Sequence, residues 1–349
     1  MAKIDALLKI MIEYHASDLH VTSGSPPLLR INGELERVVY HELTEEEVKL
    51  LVYEILSQQS IDQLENQCDI DFAYEIAGTA RFRGNAYFKH GGVGAAFRLI
   101  PHDIKTFSEL GLPPVIRDLA RQQKGLVIVT GPTGSGKSTT LAAMIDLLNK
   151  ERKAHIITLE DPLEFIHENQ TCLIMQRQVG VHVQDFASGL KASLREDPNV
   201  IMVGEMRDLE TIAMAITAAE TGLLVFGTLH TSSAAKTVDR IIDIFPKDQQ
   251  DQIRTMLSES LKGVIAQQLL KRADGKGRVA ALEVLVANQA VSNLIREGKT
   301  YQIASILQTG KKIGMQTIDQ HLTELVNNGD ITSKEAYAYA NDKSIFSKD

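Results

Sequence analysis

Residues 131–138 read Gly-Pro-Thr-Gly-Ser-Gly-Lys-Ser, which matches the phosphate-loop pattern G-x-x-x-x-G-K-[S/T] at every fixed position. The run Gly-Leu-Val-Ile-Val-Thr at 125–130 comes directly before it and is typical of a buried parallel strand. Residues 139–149 contain no proline or glycine and carry apolar residues at helical spacing. A strand, a glycine-rich turn and a helix in this order predict a site where backbone N–H groups and a helix N-terminus hold the phosphates of a nucleoside triphosphate.

The loop and the start of the following helix supply the predicted contacts with the nucleotide. We expect Lys137 to reach the β- and γ-phosphates and the Ser138 hydroxyl to ligate Mg²⁺. The predicted cofactors are therefore ATP and Mg²⁺. The full predicted nucleotide-binding set is Gly131, Thr133, Gly134, Ser135, Gly136, Lys137, Ser138 and Thr139.

The composition excludes several classes of protein. The chain has 349 residues, 44 % hydrophobic and 23 % charged, which is ordinary for a soluble protein of two domains. Its net charge of −8 argues against non-specific binding to DNA or RNA as the main task. Cys68 and Cys172 form no C-x-x-C pair, so we expect neither a disulfide framework nor a structural zinc site. This cysteine usage indicates a protein of the reducing cytoplasm. No apolar run approaches the roughly 18 residues of a membrane span, so no direct membrane insertion is expected.

The chain predicts an α/β protein with a smaller α+β domain in front. Residues 1–100 mix short helices with hairpin strands, and the segment 101–115, rich in proline and glycine, is typical of a linker. From 116 to 286 strands and helices alternate, which indicates a mostly parallel sheet with the ligand at the carboxyl ends of its strands. Residues 287–349 are predicted to be helical. The strands expected in the parallel sheet are 125–130, 155–159, 199–204 and 223–229, and the helices are 137–149, 185–195 and 208–221.

Arginines cluster on the last hairpin of the first domain. Residues 79–88 alternate, with Phe82 on one face and Arg81 and Arg83 on the other, and the return strand 93–100 places Arg98 roughly opposite Arg83. Like charges that face each other across strands are destabilising. Two interpretations stay open on spacing: an anion lies between the arginines, or they form a solvated basic face.

Acidic residues follow two of the predicted parallel strands. Glu205 ends the apolar run 199–204, where phosphate-loop enzymes hold Mg²⁺ or orient water. The strand 155–159 is followed by Glu160 and, four residues later, Glu164. Hydrolysis needs a group that positions the attacking water, and either glutamate could do so. Spacing does not choose between them.

His230 ends the next strand, where it could sense the γ-phosphate. A lone histidine is more often a structural hydrogen-bonding residue, and spacing favours that interpretation. Arg195, Arg207 and Arg240 could each pair with phosphate or with the acidic residues, but each is a weak signal by itself.

Together these segments resemble the secretion ATPases of type IV pilus and type II secretion systems. Residues 131–138 correspond to their Walker A loop, 160–165 looks like their Asp box, 203–205 their Walker B motif and 222–231 their His box. Within the family the chain is most similar to the retraction ATPases of type IV pili. The segments that carry this closer resemblance lie at 16–20, 24–27, 81–85 and 314–317.

The resemblance implies a PAS-like α+β N-terminal domain, a RecA-like ATPase domain with a helical C-terminal subdomain, and a homohexameric ring. It implies that Glu164 activates water, that Glu205 is the Walker B carboxylate at the Mg²⁺ site, and that His230 is catalytic. The N-terminal arginines, Arg81, Arg83 and Arg98, would meet the phosphates, which favours the anion between them.

The implied function is an Mg²⁺-dependent ATPase motor that retracts the pilus and so drives twitching motility. It would lie in the cytoplasm and associate with the inner membrane through the platform protein of the pilus, without nucleic acid as a partner. The assembly ATPases of these systems carry a four-cysteine zinc element, and this chain has two cysteines. Retraction is therefore favoured over extension, with an accessory retraction paralogue as the near alternative.

Two residues depart from the family pattern. Leu223 stands where the His box often has a first histidine, and Ser292 stands where the C-terminal motif usually has arginine. Two further alternatives are a nucleic-acid motor, since RecA-like domains serve those too, and a scaffold that binds nucleotide without hydrolysing it. Retention of Lys137, Glu164 and Glu205 argues against the scaffold.

Overall fold

The computed structural model describes residues 2–31, 33–100 and 104–347, and the chain divides into two compact units, 1–103 and 104–349. The dipeptide Asn-Gly at 32–33 predicts a hairpin turn. Asn32 of this turn and residues 101–103 of the expected linker lie outside the described residues. Among the residues that are described, no helix combines the length and the apolar character that crossing a membrane requires.

The first unit is a six-stranded antiparallel sheet with helices packed against its apolar face. Its elements are α1 (Ile4–Glu13), β1 (Asp18–Thr22), β2 (Leu28–Ile31), β3 (Glu34–Arg37), α2 (Glu45–Tyr53), α3 (Gln58–Gln67), β4 (Asp69–Ile76), β5 (Ala80–Lys89) and β6 (Gly92–Ile100). The strand order is β3-β2-β1-β6-β5-β4. The core between sheet and helices contains Leu8 and Val52 from the helices and Phe82 and Phe97 from the strands.

Local sequence explains α2, whereas α3 has a weak sequence signal. The pattern of Thr44 followed by Glu47 predicts a capping box. The Thr44 hydroxyl accepts the Glu47 N–H at 3.2 Å, and the Glu47 carboxylate accepts the Thr44 N–H at 2.8 Å, so the predicted box forms. Leu64 is the buried residue of α3, and the other residues of this helix are mostly polar. The sequence of α3 therefore lacks the apolar periodicity that would predict a helix.

The second unit is a seven-stranded, mostly parallel sheet with helices on both faces. Its elements are α4 (Pro114–Ala120), β7 (Gly125–Thr130), α5 (Lys137–Glu151), β8 (His155–Glu160), β9 (Leu173–Gln178), α6 (Phe186–Ser193), β10 (Val200–Val203), α7 (Leu209–Glu220), β11 (Leu224–Leu229), α8 (Ala234–Asp243), α9 (Gln250–Ser260), β12 (Leu261–Lys271), β13 (Arg278–Val286), α10 (Gln289–Arg296), α11 (Ile303–Thr309), α12 (Ile318–Asn327) and α13 (Ser333–Tyr339).

The strand order β13-β12-β7-β11-β10-β8-β9 places the phosphate-loop strand near the middle. All neighbours are parallel except β12 and β13. β7 and β11 are buried along their whole length, as their continuous apolar sequence predicts. The carboxyl ends of β7, β8, β10 and β11 therefore meet at one edge of the sheet, and the loops that leave them build the candidate site.

Two strands of this sheet were not predicted, and one predicted cap forms only in part. β9 is an edge strand with exposed Leu173 and Met175, and β12 follows α9 with no turn signal between them. The pattern of Thr332 followed by Glu335 predicts a capping box at the start of α13, and the Thr332 hydroxyl accepts the Glu335 N–H at 3.1 Å. The Glu335 carboxylate, however, accepts the N–H of Lys271 at the end of β12, at 2.9 Å. It therefore does not make the second hydrogen bond of a capping box, which would be to the Thr332 N–H.

Candidate nucleotide-binding site

The phosphate loop connects β7 to α5 through a backbone that glycine makes possible. Gly131, Gly134 and Gly136 have φ values of 146°, 78° and 87°, a region that other residues rarely adopt. A Cβ on Gly131 would also collide with the carbonyl oxygen of Gln267 on β12. The chain therefore turns into α5 at Gly136, with its free backbone N–H groups at the helix N-terminus.

The predicted binding residues divide into a loop tip and a helix start. Thr133 and Gly134 are exposed at the tip, and Ser138 and Thr139 are half-buried in the first turn of α5. The residues of the loop tip and those of the helix start are therefore all at least partly exposed to solvent. The structure thus keeps the predicted set together, as its contiguity in sequence requires.

Lys137 lies folded over the loop, close to two acidic residues. Its Nζ donates to the carbonyl oxygens of Gly131 at 2.8 Å and Pro132 at 3.1 Å. Burial lowers the pKa of Lys137, while the carboxylates of Glu205 and Glu164 act in the opposite direction. The two predicted catalytic carboxylates therefore favour the charged form of Lys137.

Glu205 and His230 follow the neighbouring parallel strands β10 and β11, and their side chains are in contact. Val203 of β10 lies beside Gly227 of β11, so the residues that follow each strand come together. His230 Nε2 lies 2.8 Å from Glu205 Oε1, and the Arg207 guanidinium contacts the same oxygen. That carboxylate raises the pKa of Arg207. The Glu205 side chain is 17 % exposed, and both of its ion-pair partners contact the same carboxylate oxygen.

The two candidate water-positioning glutamates occupy different environments. Glu160 is buried and accepts hydrogen bonds from the Thr158 hydroxyl at 2.7 Å and the Gln176 amide at 3.1 Å. Burial raises the pKa of Glu160, and the backbone N–H of Glu164 also donates to its carboxylate. Glu164 is exposed. Glu160 therefore anchors the loop after β8, and Glu164 is the carboxylate that faces solvent.

The donor set at this edge of the sheet fits Mg²⁺. Ser138 offers a hydroxyl in the first turn of α5 and Glu205 a carboxylate, both hard oxygen ligands of the kind that Mg²⁺ takes. Within the described ranges, no group of three or more His, Cys, Asp or Glu residues could hold a metal ion. Mg²⁺ in nucleotide sites usually binds one or two protein oxygens and takes its other ligands from nucleotide phosphates and water.

In the first unit, Arg83 and Arg98 face each other directly across β5 and β6. Each has a carboxylate from the strand beyond: Arg98 Nε donates to Asp18 at 2.8 Å, and Arg83 Nη2 lies 3.5 Å from Asp71. These carboxylates offset the repulsion, so the pair does not require an anion to be stable. The two side chains are still 68 % and 43 % exposed and keep guanidinium donors in solvent.

The remaining predicted arginines differ in their surroundings. Arg81, opposite Glu75 in register, has a buried Nε for which the described residues provide no hydrogen-bond partner. Arg195 and Arg240 are exposed and take no part in an ion pair among the described residues, in contrast to Arg207.

Sequence reasoning missed one residue at the site. Gln267 lies 3 % exposed in the strand beside the phosphate loop. The signal was available: an amide within the apolar run 263–270 is costly to bury and needs partners. Those partners are Ser135 in the phosphate loop and Thr140 at the start of α5, and only the sheet order reveals them.

The two departures from the family pattern lie away from the phosphate loop. Leu223 precedes β11 and packs against the core, and its carbonyl accepts the Gly125 N–H at 2.9 Å. Ser292 on α10 donates to the Ser258 carbonyl on α9 at 2.7 Å, and Arg296 reaches the Ser258 hydroxyl at 3.2 Å. Ser292 therefore joins two helices of the second unit.

Comparison with known proteins agrees with this site. The family model for type II/IV secretion system proteins matches residues 1–343. The type IV pilus retraction ATPase PilT of Pseudomonas aeruginosa is 49 % identical over 333 residues, covering 95 % of this chain and 96 % of PilT. A twitching motility protein of Neisseria gonorrhoeae is 50 % identical over 326 residues, covering 92 % of this chain and 87 % of the relative. The type IV pilus ATPase PilU of P. aeruginosa is 40 % identical, covering 97 % and 88 %.

Solved structures confirm the fold. The pilus retraction motor PilT with bound ADP superposes with a TM-score of 0.93 at 44 % identity and covers 100 % of both chains. The ATPase DotB of Legionella pneumophila gives 0.81 at 30 % identity, covering 96 % of this chain and 94 % of DotB. The predicted fold class, a PAS-like α+β domain before a RecA-like nucleotide-binding domain with a helical C-terminal subdomain, is correct. The chain therefore belongs to the type II/IV secretion system protein family, and it is a PilT-like ATPase of that family.

Proposed function

We propose that this protein is a hexameric, Mg²⁺-dependent motor that hydrolyses ATP to retract type IV pili and so drives twitching motility. One observation carries the proposal for hydrolysis: the pairing of β11 with both β7 and β10 brings Glu205, with His230 2.8 Å from its carboxylate, to the same sheet edge as the phosphate loop. The relatives named for retraction and twitching motility, which match the chain almost end to end, support the use of that hydrolysis in pilus retraction.

The geometry of the site supports a set of proposed roles for its residues. The residues 131–139 bind the nucleotide, and Lys137 leaves its carbonyl partners to meet the β- and γ-phosphates. Ser138 and Glu205 would hold Mg²⁺, which when bound would neutralise charge that develops on the phosphates. Glu164, the solvent-facing carboxylate, orients the attacking water. His230 lies 2.8 Å from the Glu205 carboxylate, and this contact supports a catalytic role for the histidine over an unrelated structural one.

The proposed motor uses both units. The domains are 1–100, a linker 101–115, an ATPase domain 116–286 and a helical region 287–349. In the assembled ring, the phosphates would be met by three arginines of the first unit, Arg81, Arg83 and Arg98. Their positive charge would stabilise the negative charge that develops on the γ-phosphate, an effect typically worth about 10³–10⁵ in rate. Binding and release of nucleotide would then move domains, and the ring would act on the inner-membrane platform protein of the pilus from the cytoplasm.

Complementation in P. aeruginosa tests the proposal. A strain that lacks its own PilT, and a second strain that lacks PilU, each receive the wild-type chain or Glu164→Ala. We expect the wild-type chain to restore twitching in the strain without PilT, and Glu164→Ala to restore none at equal expression. Rescue of the PilU-deficient strain alone would support the accessory role instead. Failure in both strains, with measured ATPase activity, would overturn retraction as the function.

A further inference from the structure

We propose that Gln267 is a positioning residue for nucleotide binding: its side-chain amide holds the phosphate loop in the conformation that presents backbone N–H groups to the phosphates. The inference concerns ATP binding and does not depend on the use of hydrolysis in pilus retraction.

The sheet places Gln267 against both ends of the loop. β12 runs parallel to β7 with Ala266 opposite Thr130, so the next residues, Gln267 and Gly131, are adjacent. A Cβ on Gly131 would collide with the Gln267 carbonyl oxygen, and a Cβ on Gly136 would lie 2.8 Å from Gln267 Nε2. Two glycines of the phosphate-loop pattern thus leave the space that this glutamine fills.

Both ends of the amide are used. Gln267 Nε2 donates to the Ser135 carbonyl oxygen at 2.6 Å, and Oε1 accepts from the Thr140 hydroxyl at 2.7 Å. A carbonyl can only accept, so the amide nitrogen must face Ser135, which leaves the amide oxygen for Thr140. One buried side chain therefore joins the loop to the first turn of α5.

The bond to Ser135 sets the orientation of one peptide. The peptide between Ser135 and Gly136 is planar and trans, so its C=O and N–H point in opposite directions. Because the carbonyl points toward Gln267, the Gly136 N–H points away from β12. N–H groups of the loop backbone are the donors that cradle nucleotide phosphates. Without Gln267, the buried Ser135 carbonyl would seek another donor, and rotation of this peptide would remove a phosphate contact.

Two substitutions of Gln267 in the full-length protein test the inference. Gln267→Leu removes the donor, and Gln267→Glu keeps the shape but places a carboxylate oxygen against the Ser135 carbonyl. We expect each to raise the Kd for ATP and for ADP about tenfold, a loss of about 1.4 kcal/mol. KM should rise with Kd, and kcat at saturating ATP should fall less than about threefold, because the contact is made equally in the ground and transition states.

Two matched controls separate positioning from packing. Gln268→Glu makes the same change one residue along β12, and Thr140→Val removes the partner of Oε1 while the bond to Ser135 remains. Both should keep the Kd within about threefold of wild type. Gln267→Asn, one methylene too short to reach both partners, replaces any variant that thermal unfolding shows to be unfolded. Wild-type Kd in folded Gln267→Glu, or a fall in kcat with Kd unchanged, would overturn the inference.

Discussion

At the scale of single residues, two glutamates and one histidine of the candidate site differ in burial and in their contacts. Glu160 and Glu164 were equivalent in the sequence, and the structure separates them because one is buried in a hydrogen-bond network and the other is exposed. His230 shows the reverse case: spacing favoured an unrelated structural role, and its 2.8 Å contact with Glu205 places it beside a predicted catalytic carboxylate.

Substitution of the two glutamates should give opposite results. Glu164→Ala is expected to keep ATP bound while turnover falls by about 10²–10⁴, the usual contribution of general base catalysis. Glu160→Gln, which keeps polar atoms where the buried carboxyl lies, should retain turnover within about tenfold. Phosphate release and a fluorescent ATP titration measure the two quantities, and Lys137→Ala serves as the variant that loses binding. Persistent turnover in Glu164→Ala would transfer the role to Glu160 or Glu205.

A buried histidine predicts loss of stability in mild acid. Burial lowers the pKa of His167 to about 4, and the charge of Asp146 acts in the opposite direction. Since the pKa is lower in the folded protein than in the unfolded chain, the neutral histidine contributes stability that is complete above about pH 6.5. That contribution is lost as the pH falls toward 4 and amounts to about 3 kcal/mol.

Denaturant unfolding between pH 7.5 and 4 of wild type and His167→Gln measures this effect. The variant should show a smaller decline in the free energy of unfolding over that interval, because it has no proton to bind. His90→Gln, at an exposed position, is the matched control and should decline like wild type. An identical decline in His167→Gln would show that other groups cause the acid sensitivity.

At the scale of elements, strand register brings residues that are distant in the sequence next to each other. The pairing of β5 with β6 makes Arg83 and Arg98 direct neighbours, and the parallel pairing of β10 with β11 brings Glu205 to His230. Strong local patterns, such as the buried strands β7 and β11, were predictable from sequence. The strands β9 and β12 were not, because an exposed edge strand and a strand that follows a helix without a turn carry no comparable local signal.

The arginine pair on β5 and β6 should be catalytic without being structural. Arg83→Ala is expected to lower kcat by on the order of 10³ while light scattering still shows a hexamer. The same substitution at Arg37, an exposed residue of β3 in the same sheet, should leave kcat unchanged and is the control. Equal kcat of the two variants would instead support the interpretation that these arginines form a solvated basic face. Their ion pairs with Asp71 and Asp18 would then explain why both can lie on neighbouring strands.

At the scale of the whole molecule, charge distinguishes a pilus motor from a nucleic-acid motor. The net charge of −8 opposes the approach of a polyanion. Single- or double-stranded DNA added to a steady-state ATPase assay at low salt should therefore change the rate less than about twofold, because electrostatic attraction supplies most non-specific binding. Polyglutamate is the matched polyanion control. Strong stimulation by DNA alone would favour the nucleic-acid motor.

The sequence by itself determined the phosphate loop, the fold class and the family. These depend on contiguous or short-range patterns, in which neighbours in the chain are also neighbours in space. Only the tertiary structure decided which glutamate faces solvent, that His230 contacts Glu205, and that Gln267 of β12 holds a loop more than a hundred residues away in the chain. The physical reason is that burial and hydrogen-bond partnership are set by strand order and register, and no local spacing encodes which strand lies beside β7.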